Sequence, residues 1–469
     1  MLIVGASLAG LRAAEQLRAL GHTGRIILLG DEAVAPYDRP PLSKSTLTGR
    51  KEASAPLLAR APELDLDLRL GIAATALDRD AKCVRLADAT GVNFDQLLIA
   101  TGRRARPLSD VAQASLTGVQ TLRTAADAAE LRALLLCGPA RVVIIGAGFI
   151  VSEVASACRV LGLEVTVVAR GETPLDGSLG ASVGTLATEL YRRNGVDLRC
   201  CAAVTEILGD SNGRVRGVEL DDGARIEAQV VVVATGSLPN VEWLGGSGLD
   251  CGLDESGNGS AGIAVDGELR VLDHDGHPIA GIFAAGDVTR WAHPLAAGRL
   301  LSVEHWGNAV EQGRFAARSM LGMTTAGLPF VELPRFWSTM FGTSIKSLGV
   351  PSLGDEVVVV QGSIADRRGV AVYGRDGRTV AAVAFDSPRE LDFFETMVTT
   401  GDTFPPRITV ADWAGGEAPR PVAAKFPERN STRPHATDGA FAGALAGTGS
   451  DRAGNGGARD ALGLGPLAN

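Results

Sequence analysis
The stretch Leu2-Ile-Val-Gly5-Ala-Ser7-Leu-Ala-Gly10 passes from three apolar residues through a glycine turn into a helical pattern. Leu2 to Val4 read as a strand, about Ala9 to Leu20 as an amphipathic helix and Arg25 to Leu29 as a second apolar strand, the start of a βαβ unit. The residue types suit a dinucleotide. Gly5 permits the tight turn, a small residue at Ser7 lets backbone N–H groups approach a pyrophosphate, and Gly10 permits close helix–strand packing. The helix N-terminus then stabilises the anion. Ser7 replaces the usual second glycine, so the motif alone also admits a tight turn with no ligand. A ribose-binding acid is expected about 20 residues later. Gly30 occupies that place, and Asp31, directly after it, is either a substitute or a solvated loop acid.

The same grammar returns at Arg141: an apolar strand, the turn Gly146-Ala-Gly148-Phe149-Ile150-Val151, a helix through Leu161 and the strand Glu164 to Val168. Two mononucleotide-binding units on one chain predict an α/β protein with two Rossmann-like dinucleotide-binding domains. The second turn departs from the pattern. Val151 stands where a third glycine lets helix and strand touch, which predicts a helix displaced by part of a side-chain width. Ala169 ends the following strand where an acid would bind the ribose hydroxyls of NAD, and Arg170 beside it either accommodates a 2′-phosphate or points into water. The reading leans to NADPH over NADH.

After about Phe330 the pattern alternates, in Glu356 to Val360, Gly369 to Tyr373 and Thr379 to Phe385, with a helical stretch after Pro388. This predicts a C-terminal antiparallel α+β domain. From about Gly415 the sequence is Ala, Gly, Pro, Arg and Asp without periodicity and reads as a disordered tail over 415–469. The expected boundaries are 1–108 with 236–327 for the first dinucleotide domain, 109–235 for the second and 328–414 for the third.

Composition excludes several classes. A length of 469 residues predicts two to four domains, and 45 basic against 54 acidic residues give −9, which disfavours nucleic acid and anionic membranes. The six cysteines include no C-x-x-C pair, so neither a zinc site nor a redox dithiol is indicated, and no metal is expected. No run of about 18 apolar residues occurs, so no membrane span or signal peptide is read and a cytoplasmic location is the default.

Further along lie Tyr37-Asp-Arg39-Pro-Pro-Leu-Ser-Lys44, two Ala-Thr-Gly turns at Thr101-Gly102 and Thr235-Gly236, Leu122-Arg123-Thr124, and Ala285-Gly286-Asp287. With Val303-Glu-His-Trp306-Gly-Asn308-Ala-Val-Glu311-Gln312-Gly313 and Phe336-Trp337-Ser338, these segments resemble, in order and spacing from residue 1 to about 410, the flavoprotein reductases of oxygenase electron-transfer chains. That family includes putidaredoxin and rhodocoxin reductases and has the pyridine nucleotide-disulfide oxidoreductase fold. The resemblance implies FAD contacts at Gly5, Ser7, Ala9, Gly10, Asp31, Arg39, Lys44, Ala74, Thr101, Gly102, Arg123, Gly286, Asp287 and Trp306. It implies NADH or NADPH at Gly146, Gly148, Phe149, Ile150, Glu153, Arg170, Thr235 and Gly236, with catalytic roles for Lys44, Glu153 and Trp306.

The activity so implied is that of an NAD(P)H-dependent ferredoxin reductase, with hydride passing from the nicotinamide to FAD and single electrons onward to an iron–sulfur ferredoxin that serves a P450 or ring-hydroxylating oxygenase. Arg103, Arg104 and Arg106 either form a basic patch for such an acidic partner or are a solvated charge run. Thr339-Met340-Phe341, where many relatives have Asp-Gln-Tyr, removes polar groups expected near the flavin's outer edge. Relatives carry several residues before the first strand, which leaves room for an upstream start. Two rival readings stand beside this one. An NAD(P)H oxidase would reduce oxygen directly, whereas thiol chemistry would need a cysteine near Pro40 to Lys44, where there is none. A flavin signalling protein of the apoptosis-inducing-factor type draws support from the modified second turn.

Overall fold
The computed structural model describes residues 1–52, 57, 64–252, 261–324, 328–363, 368–386, 390–406 and 421–426. The chain divides into units of residues 1–430 and 431–469, and every described residue belongs to the first.

Strand β1 (Leu2–Val4), helix α1 (Leu8–Ala19) and strand β2 (Ile26–Leu29) form the first unit. β1 runs parallel to β2 on one side and to Leu97–Ile99 on the other, with Leu2 opposite both Ile27 and Leu97. All seven residues of β1 and β2 are buried, which is why they read as continuous apolar runs: a parallel sheet is covered on both faces. Because neighbours are added on both sides of β1, a crevice opens beyond its carboxyl end, where Gly5 lies. The sheet grows to nine strands, from Leu66–Arg69 at one edge to Leu300–Leu301 at the other.

Strand β3 (Arg141–Ile145), helix α2 (Phe149–Val160) and strand β4 (Glu164–Val168) repeat the arrangement, followed by helix α3 (Ala181–Arg193). Their all-parallel five-stranded sheet has the order Asp197–Arg199, β4, β3, Val230–Val233, Val119–Gln120. The chain crosses between the two sheets twice. Both crossings form one antiparallel ribbon, with Ser237 opposite Ala105 and Pro239 opposite Arg103.

Helix α4 (Trp306–Met320) returns to pack on α1, closely enough that a Cβ on Gly313 would stand 2.4 Å from the Ala9 carbonyl oxygen. Strand β5 (Arg335–Met340) then begins a six-stranded antiparallel sheet backed by the helix Phe393–Thr400. The three anticipated strands are present as Glu356–Ser363, Arg368–Arg375 and Arg378–Phe385, and β5 and Thr343–Gly349 join them. Pro388 lies outside the described residues.

The expected tail over 415–469 is corrected at 421–426. Val422–Ala423 pairs with the edge strand Glu356–Ser363, and Ala424 is fully buried, so backbone pairing and one small side chain order a segment whose composition reads as disordered. The remainder of 415–469 lies outside the described residues. Among the described residues no helix is long and apolar enough to cross a membrane.

Candidate functional site
Both glycine turns are built as the spacing demands. Gly5 has φ +124°, and a Cβ there would lie 2.0 Å from the Ala100 carbonyl oxygen; on Gly10 it would lie 2.1 Å from that of Gly5. Gly146, at φ +134°, is barred in the same way by the Ala234 carbonyl. Gly148, which caps α2, is different: a Cβ there would meet nothing within 4 Å. The protein's own packing does not require glycine at that position, whereas a pyrophosphate approaching the helix N-terminus does. Ser7, its counterpart before α1, accepts a 3.4 Å hydrogen bond from Arg39 Nε.

The substitution at Gly30 has a local cause: a Cβ there would stand 2.6 Å from that of Ala6 in the first turn, so no acid fits. Asp31 is exposed. The carboxylate that turns inward is Glu32, which accepts from Tyr37 Oη (2.6 Å) and Arg39 Nη2 (2.5 Å). Burial opposes the Arg39 charge, but the Tyr37 oxygen and Glu32 more than offset it and its pKa is raised. Arg39 also donates to the Arg123 carbonyl, and the Arg123 guanidinium pairs with Asp287 at 2.9 Å. Gly286 and Asp287 sit close above α1, where a Cβ on Gly286 would stand 3.0 Å from that of Ala9.

Lys44 and Glu153 meet. Lys44 Nζ lies 2.7 Å from Glu153 Oε1, and Glu153 is only 5% exposed. Ser43 Oγ donates to its Oε2 and Ser338 Oγ to its Oε1, each at 2.5 Å. One carboxylate thus ties the Pro-Pro segment after β2, helix α2 and strand β5. Neither serine was singled out from the sequence, although both lie within the quoted motifs.

Trp306 opens α4, donates Nε1–H to Asp38 at 2.9 Å and packs edge-on to Trp337, with ring centroids 5.7 Å apart. Trp306 is half-buried and Trp337 is 41% exposed, so the pair reaches the surface. His305 precedes it and stacks on Phe336 (5.1 Å), which in turn lies 4.3 Å from Phe149. Burial pushes the His305 pKa down to about 4 against the opposing pull of Asp287. Its Nδ1 is inaccessible and has no partner among the described residues. Such an atom costs about 1–3 kcal/mol unless a polar ligand atom meets it. The orphaned nitrogen and the open space at Gly148 both fit a cleft shaped for cofactors rather than a self-satisfied core.

Other candidates are placed less centrally. Ala74 starts a strand of a separate three-stranded sheet and packs against the first core. Thr101 Oγ1 donates to the Asn240 carbonyl, and Asn240 Nδ2 returns a bond to the Thr101 carbonyl, so the first Ala-Thr-Gly turn is locked to the second crossing. Gly102 (φ +62°) faces open space, Gly236 has φ +117°, and Thr235 is exposed. Gln312, which the motif contained but no role was given, accepts from the Gly286 N–H (2.7 Å) and Thr289 Oγ1 (2.8 Å).

Three further segments are placed by the structure. Val151 is fully buried in the core that includes Val142 and Ile144, and its Cγ2 lies 3.1 Å from where a Cβ of Gly146 would be, so the missing glycine side chain makes its room. Of the basic cluster, Arg103 is buried on Ser237 and Glu304, and Arg104 pairs with Glu242, leaving Arg106 exposed; the first two hold the crossing ribbon together. Met340 is buried, and Phe341 packs edge-on to Tyr191 of α3 at 5.3 Å, with its N–H on Ser156 Oγ. Met340 and Phe341 of this departure therefore anchor β5 to helices α2 and α3. At the end of β4, Ala169 is 1% exposed and Arg170 exposed, while Phe149 is half-buried and Ile150 38% exposed.

Residues 1–313 match the family described as pyridine nucleotide-disulphide oxidoreductase, and residues 335–414 the reductase C-terminal family. Among curated relatives, the ferredoxin–NAD(+) reductase component of the anthranilate 1,2-dioxygenase system of Burkholderia cepacia is 37% identical over 405 residues, covering 85% of this chain and 94% of the relative. Rhodocoxin reductase of Rhodococcus erythropolis is 36% identical over 367 residues, covering 78% and 81%. Among solved structures, the covalent putidaredoxin reductase–putidaredoxin complex matches with a TM-score of 0.77 at 31% identity, covering 85% of this chain and 93% of that one.

Proposed function
The chain belongs to the pyridine nucleotide-disulphide oxidoreductase family, and from that premise we propose that it is an FAD-dependent NAD(P)H:ferredoxin reductase of an oxygenase system. The observation that carries the reading is the Lys44–Glu153 pair, which brings the segment after one glycine turn against the helix after the other. A site that must hold two dinucleotides face to face needs such a junction.

The first turn, with Ala9, Arg39, Lys44, Arg123, Asp287 and Trp306, would hold FAD; the second, with Phe149, Glu153 and Arg170, would hold the nicotinamide dinucleotide. We assign 1–108 with 236–327, 109–235 and 328–414 to the FAD, NAD(P) and C-terminal domains. The bound cofactors supply hydride transfer from the nicotinamide and the passage of electrons one at a time. The residues orient and screen. Lys44 places a cation beside the Pro-Pro segment, Glu153 fixes its direction, and the Arg123–Asp287 pair fixes the mouth of α1. The Trp306–Trp337 pair continues to the surface, where a one-electron partner has access. Relatives named for dioxygenase, rhodocoxin and putidaredoxin systems support a ferredoxin as that partner.

Anaerobic mixing of the FAD-loaded protein with NADH or NADPH tests the reading: rapid bleaching of the flavin band is expected, and none with either nucleotide would remove it. Ferredoxin-stimulated cytochrome c reduction separates it from an oxidase, for which oxygen uptake without any stimulation is the signature. The buried Ala169 leaves no acid to repel a 2′-phosphate, and Arg170 stands exposed beside it. Discrimination against NADPH should therefore stay below roughly tenfold in kcat/KM. A preference for NADH above a hundredfold would overturn this.

A further inference from the structure
Residues 421–426 lie beyond the segments that match the two families, which end at 414, and they grip two parts of the molecule at once. On one side Val422 and Ala423 pair with Val357 and Glu356 at the edge of the six-stranded sheet, and the Ala424 N–H donates to the Asp355 carbonyl at 2.9 Å. On the other, the same residues close the start of helix α3. Ser182 Oγ donates to the Ala423 carbonyl at 2.6 Å, and the Ala181 N–H donates to the Lys425 carbonyl at 2.9 Å. The latter partners one of the helix N-terminal donors that otherwise have none. The fit is tight. Ala424 is fully buried, and a Cβ on Gly180, at φ +73°, would stand 2.1 Å from the Ala424 carbonyl oxygen.

What the strap holds is the segment leading to Gly180. It leaves the end of β4 at Ala169 and Arg170, and its Leu175 N–H donates to the carbonyl of Ala147 at 2.7 Å, inside the second glycine turn. Tyr373 Oη donates to the Leu179 carbonyl at 2.7 Å, and Phe426 packs on Tyr373. A continuous set of contacts thus runs from the C-terminal sheet through the strap and residues 175–180 to the backbone that would cradle the dinucleotide.

We infer that residues 421–426 position the pyridine-nucleotide site: by clamping Gly180 and the start of α3 they hold the segment 171–180 against Ala147 in its binding conformation. Ala424, Lys425, Gly180 and Ser182 are positioning residues. They meet at the end of the segment and the start of α3, and they act on the glycine turn through the Leu175–Ala147 hydrogen bond. The inference rests on the reading of the Gly146 turn as the NAD(P) site. Its effect is on nucleotide affinity, since ordering a segment in advance removes a cost from the binding step; the flavin site and the exit surface are untouched.

The test uses the FAD-loaded full chain, the variant Ala424→Asp, and a chain ending at Arg420, which removes the strap without placing a charge in the interior. Calorimetric titration of the oxidised proteins with NAD+ and with NADP+ should give a Kd raised roughly tenfold when the strap is broken or absent. Hydrogen exchange should accelerate in the peptide spanning 172–180. FAD content and kcat with ferricyanide at saturating nucleotide should remain as in the parent. Parental Kd and exchange in the chain ending at Arg420 would overturn the inference, whatever the folding of Ala424→Asp. A parent protein that binds neither dinucleotide would instead overturn the reading on which it rests.

Discussion
Glu153 joins three elements through one carboxylate, held by Lys44, Ser43 and Ser338. Removing the cation leaves that buried group with two neutral donors. Lys44→Met is expected to lower stability by about 2 kcal/mol, less than the loss on breaking a fully buried pair because the Lys44 side chain keeps partial exposure. Adding Glu153→Gln should recover part of the loss, since the uncompensated charge is then gone; a thermal-melt double-mutant cycle reads the coupling. His305 gives a pH dependence. Its folded pKa, near 4, lies below the usual 6.5, so between those values the unfolded chain binds more protons and stability falls as pH falls. The contribution approaches roughly 1 kcal/mol per pH unit at its steepest and is absent above pH 7. His305→Gln should flatten the melting temperature between pH 6.5 and 4 relative to the parent; identical profiles would contradict a buried neutral imidazole.

Helix α2 shows how an element absorbs a departure from its motif. Val151 occupies space that Gly146 leaves free, with Val142 and Ile144 beneath it, so the consensus glycine would now create a void. Val151→Gly is expected to cost about 2–3 kcal/mol, from the lost side chain and the flexibility of a helical glycine, and to weaken nucleotide binding rather than improve it. Chemical denaturation and NAD+ titration check the two halves. The same element carries Phe149, Glu153 and Ser156 toward β5, Lys44 and Phe341, so its register matters to the Pro-Pro segment and to the C-terminal sheet as well as to its own.

Across the whole molecule, the two crossings act as one hinge-like ribbon in which Thr101 and Asn240 exchange hydrogen bonds and Arg103 and Arg104 are spent on Ser237, Glu304 and Glu242. Asn240→Ala should cost about 1–2 kcal/mol by leaving the Thr101 carbonyl unpaired, and should speed FAD loss on dilution, followed by flavin fluorescence. The sequence by itself determined the two βαβ units, their glycine turns and the alternating C-terminal sheet, because strand burial, helix periodicity and positive-φ glycines are local constraints written in neighbouring residues. The first turn, ambiguous by itself because of Ser7 and Gly30, became legible as a dinucleotide site only through the distant segments at Lys44, Arg123, Asp287 and Trp306. Only the tertiary structure decided that Glu32 rather than Asp31 turns inward, that Glu153 is buried between two serines 295 positions apart, that Arg103 and Arg104 are tied to the crossing ribbon, and that Val422–Ala423 adds a strand to the C-terminal sheet. Each of these depends on which distant groups meet a given side chain, and partner identity across a crevice leaves no periodic trace in the sequence.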